Sequence, residues 1–380
     1  MDNITHSLVG LTVAKSGLER LSPYATAVCI VAANAPDADI LAALGGRWTY
    51  LHHHRGITHS IAGTVALALF IPALFYAGDL FLARLSAGER PMRARFKGLL
   101  LASLIASVTH PLLDWTNNYG VRPFLPWNDK WFYGDLVFIV DPYLWLSLGG
   151  AVFLLTAHKK WRAILWAIFA LAVTAAIFSL SARRADFQYP TYSRFLWLAG
   201  IIGLFFAYRA NFGARFGKSI AITALALVVV YWSGLAVAHQ RALYVARITA
   251  QDLAMQNGEN LIRLAAMPTL ADPLSWLCVF ETDGAVYRFK LDLNRADEAL
   301  NSSQRFAKPG GVEAGYVASA ANDSRARIFL DFARFPVARV RGDCLSETLV
   351  QFADLRYTEP GATTRGTFAL DVQVACEPTH

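Results

Sequence analysis

Residues 61–77 read Ile-Ala-Gly-Thr-Val-Ala-Leu-Ala-Leu-Phe-Ile-Pro-Ala-Leu-Phe-Tyr-Ala, without one Asp, Glu, Lys or Arg. An α-helix crosses the hydrocarbon core of a bilayer with roughly 20 apolar residues, so this run predicts a membrane span. Leu99–Leu113, Leu136–Ala157, Trp161–Leu180, Phe195–Ala210 and Ile220–Ala238 are apolar over comparable lengths. Two stretches precede them, Thr5–Gly17 and Tyr24–Leu44, the second broken by Asn34-Ala35-Pro36-Asp37. These two are either short spans or a re-entrant pair. The expected fold is an all-α polytopic membrane bundle of six to eight helices.

Composition agrees. The chain has 380 residues, 55% of them hydrophobic and 17% charged, with a mean hydropathy of +0.35. A soluble domain carries about 25% charged residues. The net charge of +7 raises the question of nucleic acid, but its distribution answers it. Residues 1–240 hold 20 Lys/Arg against 11 Asp/Glu, a net +9, while residues 241–380 hold 15 against 17, a net −2. The basic excess lies wholly in the apolar part, which argues for basic membrane loops and against a nucleic-acid partner.

Loop charges orient the bundle. The connections Lys15–Arg20, Arg84–Lys97, His158–Arg162 and Arg209–Lys218 contain 13 Lys/Arg in all. The alternate connections, Arg47–Arg55, Arg122–Lys130 and Arg183–Arg194, contain 7. The positive-inside rule makes the first set cytoplasmic. In a bacterial inner membrane the last span then exits to the periplasm. Asp2 and His6, with no basic stretch ahead of an apolar core, argue against a signal peptide.

The chain divides into a membrane domain, residues 1–240, and an extramembrane one, residues 241–380. The second has ordinary charge content and short alternating runs at Trp276–Glu281, Ala285–Asp292, Arg327–Phe332, Leu349–Tyr357 and Thr367–Ala375, which predict strands. A helical stretch, Val245–Ala265, leads into them. This predicts a small α+β or mostly β domain. Cys344 and Cys376 form a disulfide there, or all four cysteines stay reduced; no CxxC pair exists.

Ionisable groups beside apolar spans are costly, which makes them candidates for function. His110 and Asp114, in Thr-His-Pro-Leu-Leu-Asp-Trp, are four apart and share a helical face. That suits two ligands of one metal, or a His–Asp hydrogen bond on a packed helix. In His54-Arg55-Gly56-Ile57-Thr58-His59-Ser60, Gly56 permits a turn and Thr58 is placed to cap the next helix. The turn lets His54 and His59 converge, and Arg55 suits an anionic oxygen. His52 and His53 read as interfacial loop. In Pro36-Asp37-Ala38-Asp39, the proline ends a helix and presents Asp37 and Asp39, of which one is a ligand and the other a second ligand or an orienting group; a plain acidic turn is the alternative. His6 is the weakest candidate. Asp135 and Asp141 enter another span, where a carboxylate paired with an interfacial arginine is equally expected.

The charge-derived orientation gathers His6, Asp37, Asp39, His54, His59, His110, Asp114, Asp135 and Asp141 at the outer helix ends. A set of His and carboxylate ligands of this kind suits zinc or manganese, as one ion or two.

Thr5-His6-Ser7, Pro36-Asp37-Ala38-Asp39, the His54–Ser60 segment and His110-Pro111-Leu112-Leu113-Asp114 together resemble the YdjM-type family of membrane-bound metal-dependent hydrolases, over roughly residues 1–200. The order of these groups is also similar to the ligand order of zinc-dependent phospholipase C, although no second HxxxH or HxxxE element follows Asp114. The resemblance implies a hydrolase with His6, Asp37, His54, His59, His110 and Asp114 as metal ligands. In that scheme Asp39 or Asp141 is the general base and Arg55 steadies the developing oxyanion. A site at the interface suggests a lipid, lipid-linked or phosphoester substrate. Two other readings stay open. A transporter with an intramembrane metal or proton site would carry ionisable groups near the midplane and on both faces. A non-catalytic anchor displaying the C-terminal domain would make the His/Asp set structural.

Overall fold

The computed structural model describes residues 1–86, 91–183, 189–342, 348–362, 366 and 368–375. Cys344 and Cys376 lie outside the described residues. Two compact units are resolved. One comprises residues 1–38, 55–237 and 268–273, and the other residues 39–54, 238–267 and 274–380.

The first unit is helical. Its elements are α1 (Asn3–Lys15), α2 (Ala25–Asn34), α4 (Ile61–Leu85), α5 (Phe96–Trp115), α6 (Pro142–Leu144), α7 (Gly150–Thr156), α8 (Lys160–Arg183), α9 (Thr191–Arg209), α10 (Phe212–Phe216) and the first half of α11 (Lys218–Gln256). Among the described residues, six helical segments are long and apolar enough to cross a membrane: Ala25–Gly45, Ile61–Leu85, Phe96–Trp115, Lys160–Ser179, Thr191–Arg209 and Lys218–Gln256. The two remaining apolar stretches are shorter, α1 and the Pro142–Thr156 rod. The expected six to eight helices are therefore present.

Small side chains let α1, α2 and α5 approach closely. Ala14, Ala25, Cys29, Ala32, Ala102 and Ala106 are all buried in their shared core, the packing mode that serves where lipid removes the hydrophobic drive. Large apolar residues such as Phe70, Leu74, Phe206 and Val230 are exposed on the outside, as a lipid-facing surface requires. The Leu136–Ala157 run is not helical throughout. Asp141 caps α6, accepting from the Tyr143 and Leu144 N–H groups, so the helix starts at Pro142, where the missing N–H costs nothing. A π-helical turn, Trp145–Gly149, joins α6 to α7.

The second unit holds two antiparallel sheets. β1 (Leu261–Thr269), β2 (Asp272–Thr282), β3 (Ala285–Asp292) and β4 (Gln304–Ala307) form one in that order. β5 (Pro336–Arg341), β6 (Thr348–Asp354) and β7 (Ala369–Val374) form the other. Met267, Val279 and Val286 of the first sheet meet Phe335, Val337 and Ala353 of the second in one core. The C-terminal half of α11 lays Ala242, Ala246 and Ala250, spaced by four, against Trp276, Cys278 and Phe289. α12 (Gly311–Ala320) and α13 (Ser324–Phe332) cover the second sheet.

Two expectations are corrected here. Arg327–Phe332 belongs to a helix, α13. Asp323 caps it through the Arg325 N–H, and Ala326, Phe329 and Phe332 fall three apart on one buried face, so the apparent alternation was a helical period read over too short a window. Conversely α11 ends at Gln256, and Leu261–Ala265 is the start of β1, because Asn257-Gly258 breaks the helix.

One segment of the membrane half belongs with this unit. Residues 39–54, with α3 (Arg47–His53), pack there, Trp48 joining the core of Phe329, Val350 and Phe352.

Candidate metal centre

Four polar side chains converge within the first unit. Asp37 comes from a 3-10 stretch, Ala35–Gly45, that follows α2. His59 ends the 3-10 turn Ile57–His59, and His110 and Asp114 share a face of α5. One ligand atom from each lies within 4.8 Å of all the others. His59 Nε2 is 3.4 Å from Asp37 Oδ1 and 3.3 Å from Asp114 Oδ2. His110 Nε2 is 3.5 Å from each of the same two oxygens. The two Nε2 atoms are 3.1 Å apart. A tetrahedral ion with bonds of about 2.0–2.1 Å has ligand–ligand edges of about 3.3–3.4 Å, so these separations fit a shared cation.

The surroundings support that fit. His110 Nδ1 lies 2.7 Å from the Ala33 carbonyl. A carbonyl only accepts, so Nδ1 carries a proton, and Nε2 is the ring atom left to face the cluster and to bind a cation once deprotonated. Asp114 Oδ2 and both ring nitrogens of His6 are buried without a hydrogen-bond partner among the described residues. Orphaned buried polar atoms of this kind are costly unless a ligand satisfies them. His6 stacks on His110 with ring centroids 3.8 Å apart, and its Nε2 is 3.4 Å from Asp114 Oδ1. His59, His110 and Asp114 are at most 1% exposed, whereas Asp37 is 15% exposed. Access to the group is on the Asp37 side.

Arg55 is 2% exposed. Its NH2 donates to Asp114 Oδ1 at 3.1 Å, and its NH1 to the Asp114 carbonyl, Asn117 Oδ1 and the Gly120 carbonyl. Tyr119 lies under the guanidinium at 4.6 Å. The Met1 amino group also contacts Asp114 Oδ1. These contacts steer Asp114 so that Oδ2 turns to the two histidines. The chain reverses at Arg55, which adopts φ 53°, rather than at Gly56. Ser60, not Thr58, caps α4 by accepting from the Gly63 N–H, and His59 therefore precedes the helix instead of lying in its first turn.

The other expected site residues are not members of this group of four. His54 Nδ1 pairs with Asp39 Oδ1 at 3.1 Å, both in the second unit, and the His54 ring stacks on Tyr50. Asp141 is spent on the α6 cap and accepts from the Tyr231 hydroxyl at 2.8 Å. Asp141→Asn is accordingly expected to leave the metal content of the purified protein unchanged. Asp135 is buried and adopts φ 52° beside the Gly134 N–H bond to Trp115.

Sequence reasoning missed Gly63. A Cβ there would sit 1.8 Å from the Ile57 carbonyl oxygen, so the close approach of the His59 turn to α4 requires glycine. The pairing of Gly63 with Ser60, three residues apart after a histidine, was the available signal. Gly63→Ala is expected to push the turn away and weaken metal binding about 10–100-fold, the usual loss for a supporting residue, as read by metal titration.

The chain is similar to the Uncharacterized protein YfhP of Bacillus subtilis (strain 168), 31% identical over 157 residues, which is 39% of this chain and 44% of that protein. The chain thus spans less than half of the length of that relative. No solved structure matches. Residues 1–185, which carry every member of the cluster, match the family described as YdjM inner membrane protein.

Proposed function

We propose that the protein is a membrane-bound, metal-dependent hydrolase whose site is the Asp37–His59–His110–Asp114 group. The observation that carries the reading is the set of edges of 3.1–3.5 Å among buried ligand atoms. Mixed nitrogen and oxygen donors suit zinc or manganese. When bound, such an ion supplies Lewis acidity and an acidified water. His59 and His110 would hold it through their Nε2 atoms, Asp114 is held by Arg55, and Asp37 stands at the accessible edge. His6 packs behind His110 and keeps water from that side.

The site and the C-terminal domain are placed, in this proposal, on the periplasmic side. Two independent features support this. The Lys/Arg balance assigns the Arg47–Arg55 connection to the outside. Residues 39–54 of that same connection pack with the C-terminal domain in the second unit, which requires both to lie on one side. A site at that interface suits an amphipathic, lipid-like or phosphoester substrate. The test is hydrolysis of a phospholipid and phosphoester panel by purified, metal-loaded protein. Turnover abolished by a chelator and by His110→Ala supports the proposal; no turnover on any ester, or turnover indifferent to both treatments, refutes it.

A further inference from the structure

The opposite ends of α4 and α5 from the metal centre frame a second feature. Between Leu21 and the start of α5 lies a groove of about 650 Å³, lined by Leu21, Tyr76, Phe96 and Leu101 and by the basic Arg95 and Lys97. A Cβ on Gly98 would fall 2.5 Å from the Leu21 carbonyl oxygen, so the close approach that shapes one wall depends on glycine.

The charge at its mouth is one-sided. Its lining holds the basic Arg95 and Lys97 and, among the described residues, no acidic residue. The neighbouring acids are engaged: Asp79 accepts from the Tyr24 hydroxyl and from the Arg93 and Ala94 N–H groups, and Glu19 pairs with Lys15. Arg95 is fixed at the rim by donating from NH2 to the Arg20 carbonyl and from its backbone N–H to Ser22 Oγ. From the groove an exposed apolar stripe of Leu101, Leu104, Val108 and Leu112 runs along α5, spaced by three and four.

We infer that this groove binds an anionic phospholipid, its phosphate on Arg95 and Lys97 and one acyl chain laid along Leu101 and the stripe beyond it. A basic rim complements the negative headgroup. The apolar walls and their continuation along α5 match an acyl chain and offer nothing to a soluble anion. The site is separate from the metal centre and does not depend on the hydrolase reading.

Native mass spectrometry of the full chain released from detergent tests the inference, with phosphatidylglycerol and phosphatidylcholine of identical acyl chains as probes. Phosphatidylglycerol is expected to be retained about tenfold better or more, given two cations at the headgroup. Arg95→Ala/Lys97→Ala should reduce its retention to that of phosphatidylcholine. Lys160→Ala/Arg162→Ala, in another basic connection, should leave it intact. Equal retention of the two lipids by the unaltered chain overturns the inference, whether or not a variant folds. So does undiminished retention by the Arg95/Lys97 variant, or an equal loss in the control.

Discussion

Replacing Arg55 by Ala is expected to destabilise the helical unit by about 3–5 kcal/mol, the cost of removing one partner of a buried ion pair. Its guanidinium joins Asp114 at the end of α5 to Asn117 and Gly120 in the loop that follows. Without it Asp114 keeps its charge in a buried position with fewer donors, and the loop loses its tie to α5. Thermal unfolding in detergent reads the first effect, and metal content reads the second. Arg55→Lys keeps the charge but cannot reproduce a fork that reaches three carbonyl oxygens and a carboxylate. It is expected to fold, with reduced metal retention. A lysine variant with full metal content and unchanged unfolding would show that Arg55 does not orient Asp114.

Asp114→Asn is expected to have the largest effect on metal binding of any single change. Oδ2 faces His59 and His110 at 3.3 and 3.5 Å, and Oδ1 faces Arg55 and the Met1 amino group. The amide keeps the shape but removes the negative charge from both partners. It also turns an amide NH2 donor or a weaker carbonyl oxygen toward the ligand atoms. Its loss of affinity should exceed the about 10–100-fold expected of Gly63→Ala, which acts only through the position of His59. Titration of the two variants side by side with zinc gives the comparison. Equal affinities would remove Asp114 from the ligand set.

The spans were legible because bilayer thickness sets a length that the sequence must match, as residues 61–77 show. His110 and Asp114 were legible because four residues make about one helical turn, so their convergence needed only a helix. His59 and Asp37 required the correct packing of three elements, which no local spacing gives. What was hidden depends on partners distant in sequence. Arg55 looked available for a substrate oxygen, and only the fold brings Asn117 and Gly120 to it. Asp141 looked like a base, and the Tyr231 hydroxyl that it accepts from is ninety residues away. His6 looked incidental until α1 packed against α5 and laid its ring on His110. The grouping of residues 39–54 with the C-terminal domain rests on Trp48, whose core partners lie beyond residue 300.

In the proposed function Asp37, His59, His110 and Asp114 hold a divalent metal. Metal quantification on detergent-purified protein tests it most directly. The expected result is at least one zinc or manganese per chain, retained by Asp141→Asn and lost by His110→Ala and Asp114→Asn. Unaltered protein that carries no metal and takes up none when zinc or manganese is added would contradict it.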